Sequence, residues 1–577
     1  MSLYPTRSEL VPAGLPFASE VIAEGRKIGR TATLGTSLFL KEKGFSSEVE
    51  YKQYMVAQGK IMFHGIYGLD SVPEQCEGAK RVYEELNRRK ARLDRWTIII
   101  ARPMGLPPEM RRKVPKETGL MLDSPEEWVK VANIVPIHPH IGDHIIGSPA
   151  SVENLLCALA AGLTSCGNFA EYFSFDYPGW YDDVQRAIVT VKALGMMAEL
   201  KDKGRVISSN LDDGFSNLFS DRVNYIGWGM LEKYIVEDLI GADLKHLFGN
   251  MVTDPRTRLV LIRAIDEIHG GETAGTFVNG NTVYTQDAEK NVSILTTCLL
   301  FDIIGQLKKP TGHAVHAVPL TEHDRIPSPE EIAQVAVISN QMEEEAHKVA
   351  DLVDFEEIDR MKQQLIAGGR VFRDRVLKGL AEIGVNVKDP IELMIALKRI
   401  GGRRLEELFG VGQKDEAIPG GRRPVIPTQI FHHTQAIADQ IKQEVHSKLS
   451  RNLKGKKVLL LTSDVHEYAK MVIGIALKEA GVEVIDLGQH VDPEQIVQAL
   501  LKTKVDGVCI STHNGMALSY ARKLLEEMER YNLKTKIFMG GRLNELTGDI
   551  LPRDVTADLR ELKIITCNDV FDVLENL

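Results

Sequence analysis

The sequence predicts an α/β protein with two bodies: an N-terminal (β/α)8-type barrel that carries a helical extension, and a C-terminal flavodoxin-like, Rossmann-like domain. Short apolar runs alternate with amphipathic helical patterns along both bodies, which is typical of βαβ units. The segment AIPGGRRPVIP at 417–427 interrupts this pattern, and its prolines and glycines are typical of a linker. At 577 residues the chain is also too long for one ordinary core.

The C-terminal body has the clearest pattern, because each of its five predicted strands precedes an amphipathic helix. These strands are Lys457–Thr462, Val482–Leu487, Gly507–Ser511, Lys536–Met539 and Lys563–Thr566. Strands and helices in this alternation indicate a doubly wound parallel sheet. Ligands of such sheets bind beyond the carboxyl ends of the strands.

The N-terminal body has a weaker pattern. Apolar runs at Trp96–Ala101, Ile134–Ile137 and Ile303–Ile304 alternate with helical patterns at Ser151–Ala161 and Tyr181–Leu200. This alternation is consistent with a barrel and leaves its strand number open. Polar, glycine-containing segments follow several of the apolar runs, and in a barrel they would lie at the catalytic end.

We divide the chain into a barrel over 1–326, a helical extension over 327–416, a linker over 417–450 and a C-terminal domain over 451–577. The extension is assigned because helix formers and charged residues dominate between Pro327 and Leu408.

Composition narrows the range of partners. The net charge of −10 gives no reason to expect nucleic acid or an anionic membrane as a partner. We find no apolar tract of about 20 residues and no charged-then-apolar leader. We therefore expect a cytoplasmic protein that acts on a small-molecule substrate as a homo-oligomer, specifically a dimer.

Polar and small residues stand where three strands of the C-terminal body end. Asp464 and His466 follow the first strand, Ser511 ends the third, and Gly540-Gly541 ends the fourth. An imidazole can bind a metal through one ring nitrogen while the other donates to a nearby carboxylate. The alternative is that Asp464 caps the following helix and His466 is a surface residue.

The same residues resemble the cobalamin-binding domain of methionine synthase, corrinoid methyltransferases and adenosylcobalamin mutases, whose pattern is D-x-H-x-x-G, then S-x-L, then G-G. The resemblance implies that His466 is the lower axial ligand of cobalt with Asp464 as its hydrogen-bond partner, and that Ser511 contacts the displaced tail of cobalamin. Gly540 and Gly541 complete the cofactor site. Two positions depart from the pattern: Ala469 replaces a glycine, and His513 replaces a leucine and alters the pocket for the tail.

The N-terminal body resembles the catalytic subunit of glutamate mutase in three segments: AGLTSCGNFAEYF, KKPTGHAVHAVPLTEHDRIP and GGRRLEELFGVGQ. The implied order, a barrel followed by a cobalamin domain, is that of methylmalonyl-CoA mutase and 2-methyleneglutarate mutase. The resemblance implies an adenosylcobalamin-dependent radical isomerase acting on a small carboxylic acid or its CoA ester. The alternative is a corrinoid-dependent methyltransferase that binds methylcobalamin.

Two residues are candidates for catalysis in the barrel. Arg102 follows an apolar run and could clamp a substrate carboxylate, although an ordinary surface arginine is equally consistent with its position. Glu171 lies in a segment similar to glutamate mutase and could be a substrate-contacting acid or base, or else a partly buried structural carboxylate. Histidines and an aspartate in HPHIGDHIIGSPAS stand where glutamate mutase has an arginine, so we do not expect glutamate as the substrate.

Two groups of histidines could also contribute. They are His138, His140 and His144 with Asp143, and the pair His313 and His316. A metal site is conceivable, but neither group has a helical i, i+4 ligand pair. We expect them to form a polar lining that contacts the substrate or the adenosyl group of the cofactor.

Overall fold

The computed structural model describes residues 5–577 except 115, 117, 181, 272–273, 324, 416–417, 419, 450, 464–466, 489–490, 514 and 546–552. The chain divides into two compact units. The N-terminal unit comprises Met1–Lys414 and Arg422–Gln429, and the C-terminal unit comprises Asp415–Gly421 and Ile430–Leu577.

The N-terminal unit contains eight short parallel strands. They are β1 (Phe63–Tyr67), β2 (Arg95–Ile98), β3 (His138–His140), β4 (Ser165–Cys166), β5 (Val206–Asn210), β6 (Leu244–Leu247), β7 (Phe277–Val278) and β8 (Ala314–His316). β1, β2 and β3 pair in this order, as do β4, β5 and β6, and β7 pairs with β8. Single parallel bridges, Ile141 to Cys166 and Phe248 to Val278, link these groups. Because β8 also pairs with β1, the series of pairings returns to its first strand.

Helices separate these strands along the chain. They are α1 (Arg7–Leu10), α2 (Ala18–Thr31), α3 (Leu38–Lys43), α4 (Glu48–Ala57), α5 (Val72–Arg89), α6 (Pro108–Arg111), α7 (Pro125–Ala132), α8 (Ser151–Ala160), α9 (Glu171–Ser174), α10 (Asp183–Leu200), α11 (Arg222–Lys233), α12 (Pro255–Ile268), α13 (Ala288–Lys308), α14 (Pro329–Val349), α15 (Phe355–Glu382), α16 (Pro390–Ile400) and α17 (Gly402–Phe409). A π-helical turn, Tyr234–Ile240, follows α11. Helices α14 to α17 occupy most of the region from 327 to 408, and α14 packs on α5, α13 and β1.

One of the apolar runs that suggested the barrel pattern lies in a helix. Ile303–Ile304 lies inside α13, a helix of 21 residues, and both side chains are buried. A short apolar run looks the same in a buried strand and on the inner face of a helix, so its hydrophobicity alone cannot separate the two.

The segment expected to be a linker, 417–450, contains regular structure. Around its start, the two-residue strands β9 (Gln413–Lys414) and β10 (Arg422–Arg423) pair antiparallel, and α18 (Gln429–Lys448) fills most of the remainder. Ile441 and Val445 are buried in the core of the C-terminal unit. Their four-residue spacing gives α18 an apolar stripe, which explains why this polar segment is a helix.

The C-terminal unit is a parallel five-stranded sheet with helices. Its strands are β11 (Lys457–Thr462), β12 (Glu483–Gly488), β13 (Gly507–Thr512), β14 (Lys536–Gly541) and β17 (Ile565–Cys567), and β15 (Asn544–Glu545) pairs with β16 (Arg553–Asp554) as a small hairpin. Its other helices are α19 (Glu467–Glu479), α20 (Pro493–Lys502), α21 (Ala517–Arg530), α22 (Thr556–Glu561) and α23 (Val570–Asn576). The strand order β12-β11-β13-β14-β17 is that of a doubly wound sheet, and all five predicted strands are present.

Both faces of this sheet are buried. Leu459 and Leu461 belong to one apolar core, whereas Val458 and Leu460 belong to a second. This alternation explains why the strand reads as a continuous apolar run in the sequence. An α/β protein with parallel sheets is therefore confirmed. Among the helices that the structure describes, none has the length and apolar character needed to cross a membrane.

Candidate functional site

Three neighbouring strands of the C-terminal unit end together. Thr462 of β11 is in register with Ser511 of β13, and Ser511 is in register with Gly540 of β14. Ser463 donates its backbone N–H to the Ser511 carbonyl at 3.0 Å. The structure thus brings Ser511, Gly540 and Gly541 to one edge of the sheet. The expected ligand His466 and its partner Asp464 lie outside the described residues.

The two glycines at this edge are required by their neighbours in the sheet. Gly541 has a φ of +101°, and a Cβ there would lie 2.2 Å from the Thr512 carbonyl oxygen. A Cβ on Gly540 would lie 3.0 Å from the carbonyl oxygen of Cys567. Glycine therefore permits the close approach of adjacent strands, in addition to any approach of a ligand.

Replacing Gly541 with alanine is expected to destabilise this edge by about 1–3 kcal/mol, because the substitution combines a strained backbone with a clash. Gly488→Ala is the matched control, since Gly488 has a φ of +95° and nothing within 4 Å of its Cβ position. Hydrogen exchange in β13 and β14 measures the effect. Equal exchange rates in the two variants would show that the clash with Thr512 is unimportant.

A second polar site lies at the carboxyl ends of β3, β4 and β5 in the N-terminal unit. We call Asp143, Glu171 and Asp213 the carboxylate cluster. Asn168 and Asn210 donate their side-chain N–H groups to Asp213 Oδ2 at 2.9 Å and 2.7 Å. Asp143 lies beside Asn168 and Glu171, and both side chains act on the pKa of its carboxyl group. Five side chains from three successive strand ends thus form one connected group.

Glu171 is completely buried at the centre of this group. Its Oε2 accepts the backbone N–H of His144 at 2.9 Å and the hydroxyl of Tyr177 at 3.1 Å. Burial raises the pKa of Glu171 from 4.5 to about 8, against the opposing effect of these hydrogen bonds. At neutral pH the Glu171 carboxyl therefore holds a proton for most of the time.

Burial also raises the pKa values of the other two carboxyl groups of the cluster. Burial, followed by the charge of Glu171, raises the pKa of Asp143 to about 6. Burial, followed by the charge of Asp143, raises the pKa of Asp213 well above its ordinary range. Carboxyl groups this close cannot all ionise at once, so the cluster shares protons.

Sequence reasoning did not single out Asp213, Asn168 or Asn210. Asn168 stands in a polar segment, LTSCGNFAEYF, that follows an apolar run. Asn210 and Asp213 belong to the polar run SSNLDDG at the end of β5. The sequence Asp-Asp-Gly directly after a strand is the feature that could have identified them as site residues.

Arg102, the expected carboxylate clamp, begins the turn Arg102–Gly105 after β2 and is partly buried. This turn packs on Tyr177, because a Cβ on Gly105 would lie 2.1 Å from Tyr177 Cε1. Tyr177 in turn hydrogen bonds with Glu171. The turn of Arg102 therefore adjoins the carboxylate cluster through Tyr177.

The candidate histidines lie in different surroundings. His138 is buried between the hydroxyls of Ser37 and Thr164, at 3.0 Å and 3.1 Å. The rings of His144 and His313 lie within hydrogen-bonding distance of hydroxyls, on Tyr177 and Thr311 respectively. Within the described residues, no group of three or more His, Cys, Asp or Glu side chains is arranged to hold a metal ion.

Comparison with known proteins finds a family match in the C-terminal region. Residues 458–553 match the B12 binding domain family. The chain is 27% identical over 101 residues to the 2-hydroxyisobutanoyl-CoA mutase small subunit of Aquincola tertiaricarbonis, covering 18% of this chain and 69% of that protein. It is 29% identical over 85 residues to the glutamate mutase sigma subunit of Treponema denticola, covering 15% of this chain and 61% of that protein.

A further relative is the glutamate mutase sigma subunit of Clostridium tetanomorphum, 28% identical over 92 residues, covering 15% of this chain and 67% of that protein. The chain thus spans 61% to 69% of the length of these curated relatives. The comparison with solved structures matches a cobalamin-binding protein of Desulfitobacterium hafniense with a TM-score of 0.20 and 18% identity, covering 35% of this chain and 86% of that one. The family match assigns a cobalamin-dependent function to the C-terminal region.

Proposed function

We propose that this chain is an adenosylcobalamin-dependent radical isomerase, a carbon-skeleton mutase that acts on a small carboxylic acid or its CoA ester other than glutamate. One observation carries this proposal: the chain that matches the B12 binding domain also contains a buried, proton-holding carboxyl, Glu171, at the ends of parallel strands. The relatives of its cobalamin-binding region are named as mutase subunits.

We interpret the eight strands of the N-terminal unit as a (β/α)8 barrel. The support is the closed series of parallel pairings, in which β8 pairs with β1 and bridges link β3 to β4 and β6 to β7. The carboxylate cluster follows β3, β4 and β5, and active sites of such barrels lie at this end of the strands.

The sheet edge of the C-terminal unit suits a large polar cofactor. Thr512 Oγ1 and Asn544 Oδ1 are buried there without a hydrogen-bond partner among the described residues. Ser511, Gly540 and Gly541 would hold the nucleotide tail of the cofactor, and His466 its cobalt. When bound, adenosylcobalamin supplies a carbon radical through homolysis of its Co–C bond.

The residues of the N-terminal unit would position the substrate and exclude water. Arg102 would pair with a substrate carboxylate. Glu171, held by His144 and Tyr177, would give its proton to the substrate as a general acid and take it back afterwards. Both tasks require the buried surroundings that raise the pKa of Glu171.

Anaerobic electron paramagnetic resonance with adenosylcobalamin and a panel of carboxylic acids and CoA esters tests the proposal. We expect a signal from cobalt(II) coupled to an organic radical with one substrate of the panel. Silence across the panel together with methyl transfer from methylcobalamin would overturn the mutase and support a corrinoid methyltransferase.

His466→Ala tests the cobalt ligand separately. Cobalamin titrated into this variant is expected to bind at least about tenfold more weakly, with an altered absorption spectrum, because the axial imidazole is lost. His432→Ala is the matched control, since His432 is an exposed histidine of α18. Unchanged affinity and spectrum in His466→Ala would remove the assignment of His466 as the ligand.

A further inference from the structure

Arg186 of α10 is buried and joins two of the segments that carry the carboxylate cluster. Its Nε donates to the carbonyl oxygen of Gly147 at 2.5 Å, in the segment that follows β3. Its two terminal nitrogens donate to the carbonyl oxygens of Phe175 and Glu171, at 2.5 Å and 2.6 Å, in the segment that follows β4. One guanidinium group thus ties the backbone of Glu171 to the neighbouring segment.

The same guanidinium group packs on the ring that supports the Glu171 side chain. Its central carbon lies 4.8 Å from the centroid of the Tyr177 ring, and a cation over an aromatic face is attracted to it. The Tyr177 hydroxyl donates to Glu171 Oε2 at 3.1 Å. Arg186 therefore supports both the backbone and, through Tyr177, the side chain of Glu171.

The charge of Arg186 has no fixed counter-charge. Among the residues that the structure describes, no carboxylate forms an ion pair with Arg186, and its three hydrogen bonds go to carbonyl oxygens. The neighbouring cation Lys398 differs, since its Nζ lies 3.9 Å from Asp176 Oδ1. Asp183, on the same helix as Arg186, pairs with Arg399 at 2.8 Å. A buried cation without a counter-charge is costly, so an anion that forms nearby would be stabilised.

Glu171 is the group that can become this anion. Burial raises the pKa of its carboxyl group to about 8, and the hydrogen bonds from His144 and Tyr177, followed by the charge of Arg186, oppose that rise. Asp143 also lies beside Glu171, and burial together with the charge of Glu171 raises its pKa to about 6. Arg186 thus contributes a positive charge to surroundings that otherwise disfavour a second carboxylate.

We infer that Arg186 is a positioning residue for Glu171: it fixes the backbone of Glu171 and stabilises the carboxylate that remains while the proton is on the substrate. The inference rests on the proposed function and deepens it. The proton leaves the Glu171 carboxyl for the substrate, the negative charge stays on the carboxyl oxygens, and the proton returns afterwards. A positive charge that is already in place lowers the barrier to such a transfer, because nothing has to reorient as the negative charge develops.

The pH at which Glu171 loses its proton tests this inference without substrate. Infrared difference spectra of the full chain, recorded as the pH is raised, follow the carbonyl band of the protonated carboxyl, which is identified as the band that Glu171→Gln removes. In Arg186→Gln we expect the midpoint to rise by at least about one pH unit above the native value of about 8, because the opposing positive charge is lost. A purely structural Arg186 would instead admit water when replaced, so an unchanged midpoint or a fall towards 4.5 overturns the inference.

Arg186→Lys separates the charge from the hydrogen bonds. Lysine keeps the charge but lacks the planar fork that reaches three carbonyl oxygens, so we expect a midpoint within about half a pH unit of the native one. The backbone N–H of His144, which donates to Glu171, should exchange at least about tenfold faster in this variant. Equal midpoints in Arg186→Gln and Arg186→Lys would contradict the role of the charge, and native exchange at His144 would contradict the role of the fork.

Arg205→Gln is the matched control. Arg205 is also a buried arginine, its Nη1 donates to the carbonyl oxygen of Lys203 at 2.9 Å, and it directly precedes β5, at the opposite end of the strands from the carboxylate cluster. Its replacement should leave the midpoint unchanged, and a shift as large as that in Arg186→Gln would contradict the inference. Because these measurements use neither substrate nor cobalamin, a failed radical assay leaves them intact, and a native midpoint in Arg186→Gln leaves the mutase proposal intact.

Discussion

The Glu171→Gln variant is expected to be more stable than the native chain at pH 8 and to have lost most of its isomerase activity. Burial raises the pKa of Glu171 from 4.5 to about 8, so ionisation at pH 8 opposes folding. Glutamine has the same shape and no charge. Its oxygen can accept from His144 and Tyr177 as Oε2 does, and its amide can donate towards Asp143.

The sign of the pH effect follows from proton binding. Between pH 4.5 and about 8 the folded chain keeps the Glu171 proton that the unfolded chain loses, so the stability of the native chain falls as pH rises. We expect a gain of about 2 kcal/mol for the glutamine variant at pH 8, less than the full shift implies because Asp143 shares the proton. The gain should shrink to less than about 1 kcal/mol at pH 5, close to the pKa of the unfolded chain.

Urea unfolding at pH 5 and pH 8 measures this difference. Tryptophan fluorescence reports on the N-terminal unit, since all four tryptophans of the chain lie there. Glu153→Gln, at an exposed glutamate of α8, is the control and should change stability little at either pH. A glutamine variant with the native pH dependence would show that Glu171 ionises freely in the folded chain.

The activity of the same variant is expected to fall at least about 100-fold in kcat, because an amide cannot exchange a proton with the substrate. Kinetics with the substrate identified by electron paramagnetic resonance provide the measurement. A gain in stability together with a loss of kcat would show that the buried Glu171 carboxyl lowers stability and is required for activity. Full activity would instead make Glu171 a structural carboxyl.

The C-terminal sheet was predictable because its strands are buried on both faces and their apolar runs stand between clear helices. The strands of the N-terminal unit were not, because their inward side chains are polar: β3 is His-Pro-His and β5 ends in Ser-Ser-Asn. Hydrophobic periodicity does not detect such strands. The run Ile303–Ile304 misled for the opposite reason, because the buried face of a helix can be as apolar in sequence as a buried strand.

The candidate site was predictable only where a resemblance pointed to it. Glu171 lies in a segment similar to a known mutase, and Ser511 and Gly540-Gly541 belong to a spaced motif. Asp213 and Asn210 carry no such motif, and only the pairing of β4 with β5 brings them beside Glu171. Asp143 was noticed among histidines, but its place beside Glu171 depends on contacts between strands that are distant in sequence.

Replacing Arg258 with methionine is expected to have the largest effect on the stability of the N-terminal unit, a loss of about 3–5 kcal/mol. Arg258 of α12 and Asp302 of α13 are both buried, and the Arg258 Nε donates to Asp302 Oδ1 at 2.8 Å. A second guanidinium N–H donates to Asp302 Oδ2. Methionine would leave the Asp302 carboxylate buried without its counter-charge.

Arg258 also holds two of the loops that follow parallel strands. It donates to the carbonyl oxygens of Gly249, two residues beyond β6, and Asn279, the residue that follows β7. These loops lie at the same ends of the strands as the carboxylate cluster. The methionine variant is therefore expected to lose substrate binding as well as stability, whereas an effect on stability alone would show that the loops keep their positions without Arg258.

A double replacement separates the ion pair from the packing. Arg258→Met with Asp302→Leu removes both charges, and we expect it to recover at least half of the lost stability, because apolar pairs often replace buried ion pairs at little cost. Arg81→Met breaks the exposed pair of Arg81 with Glu330 and should cost less than about 1 kcal/mol. If the double variant were as unstable as Arg258→Met, the loss would come from the hydrogen bonds to Gly249 and Asn279, and the carboxylate of Asp302 would not be its cause.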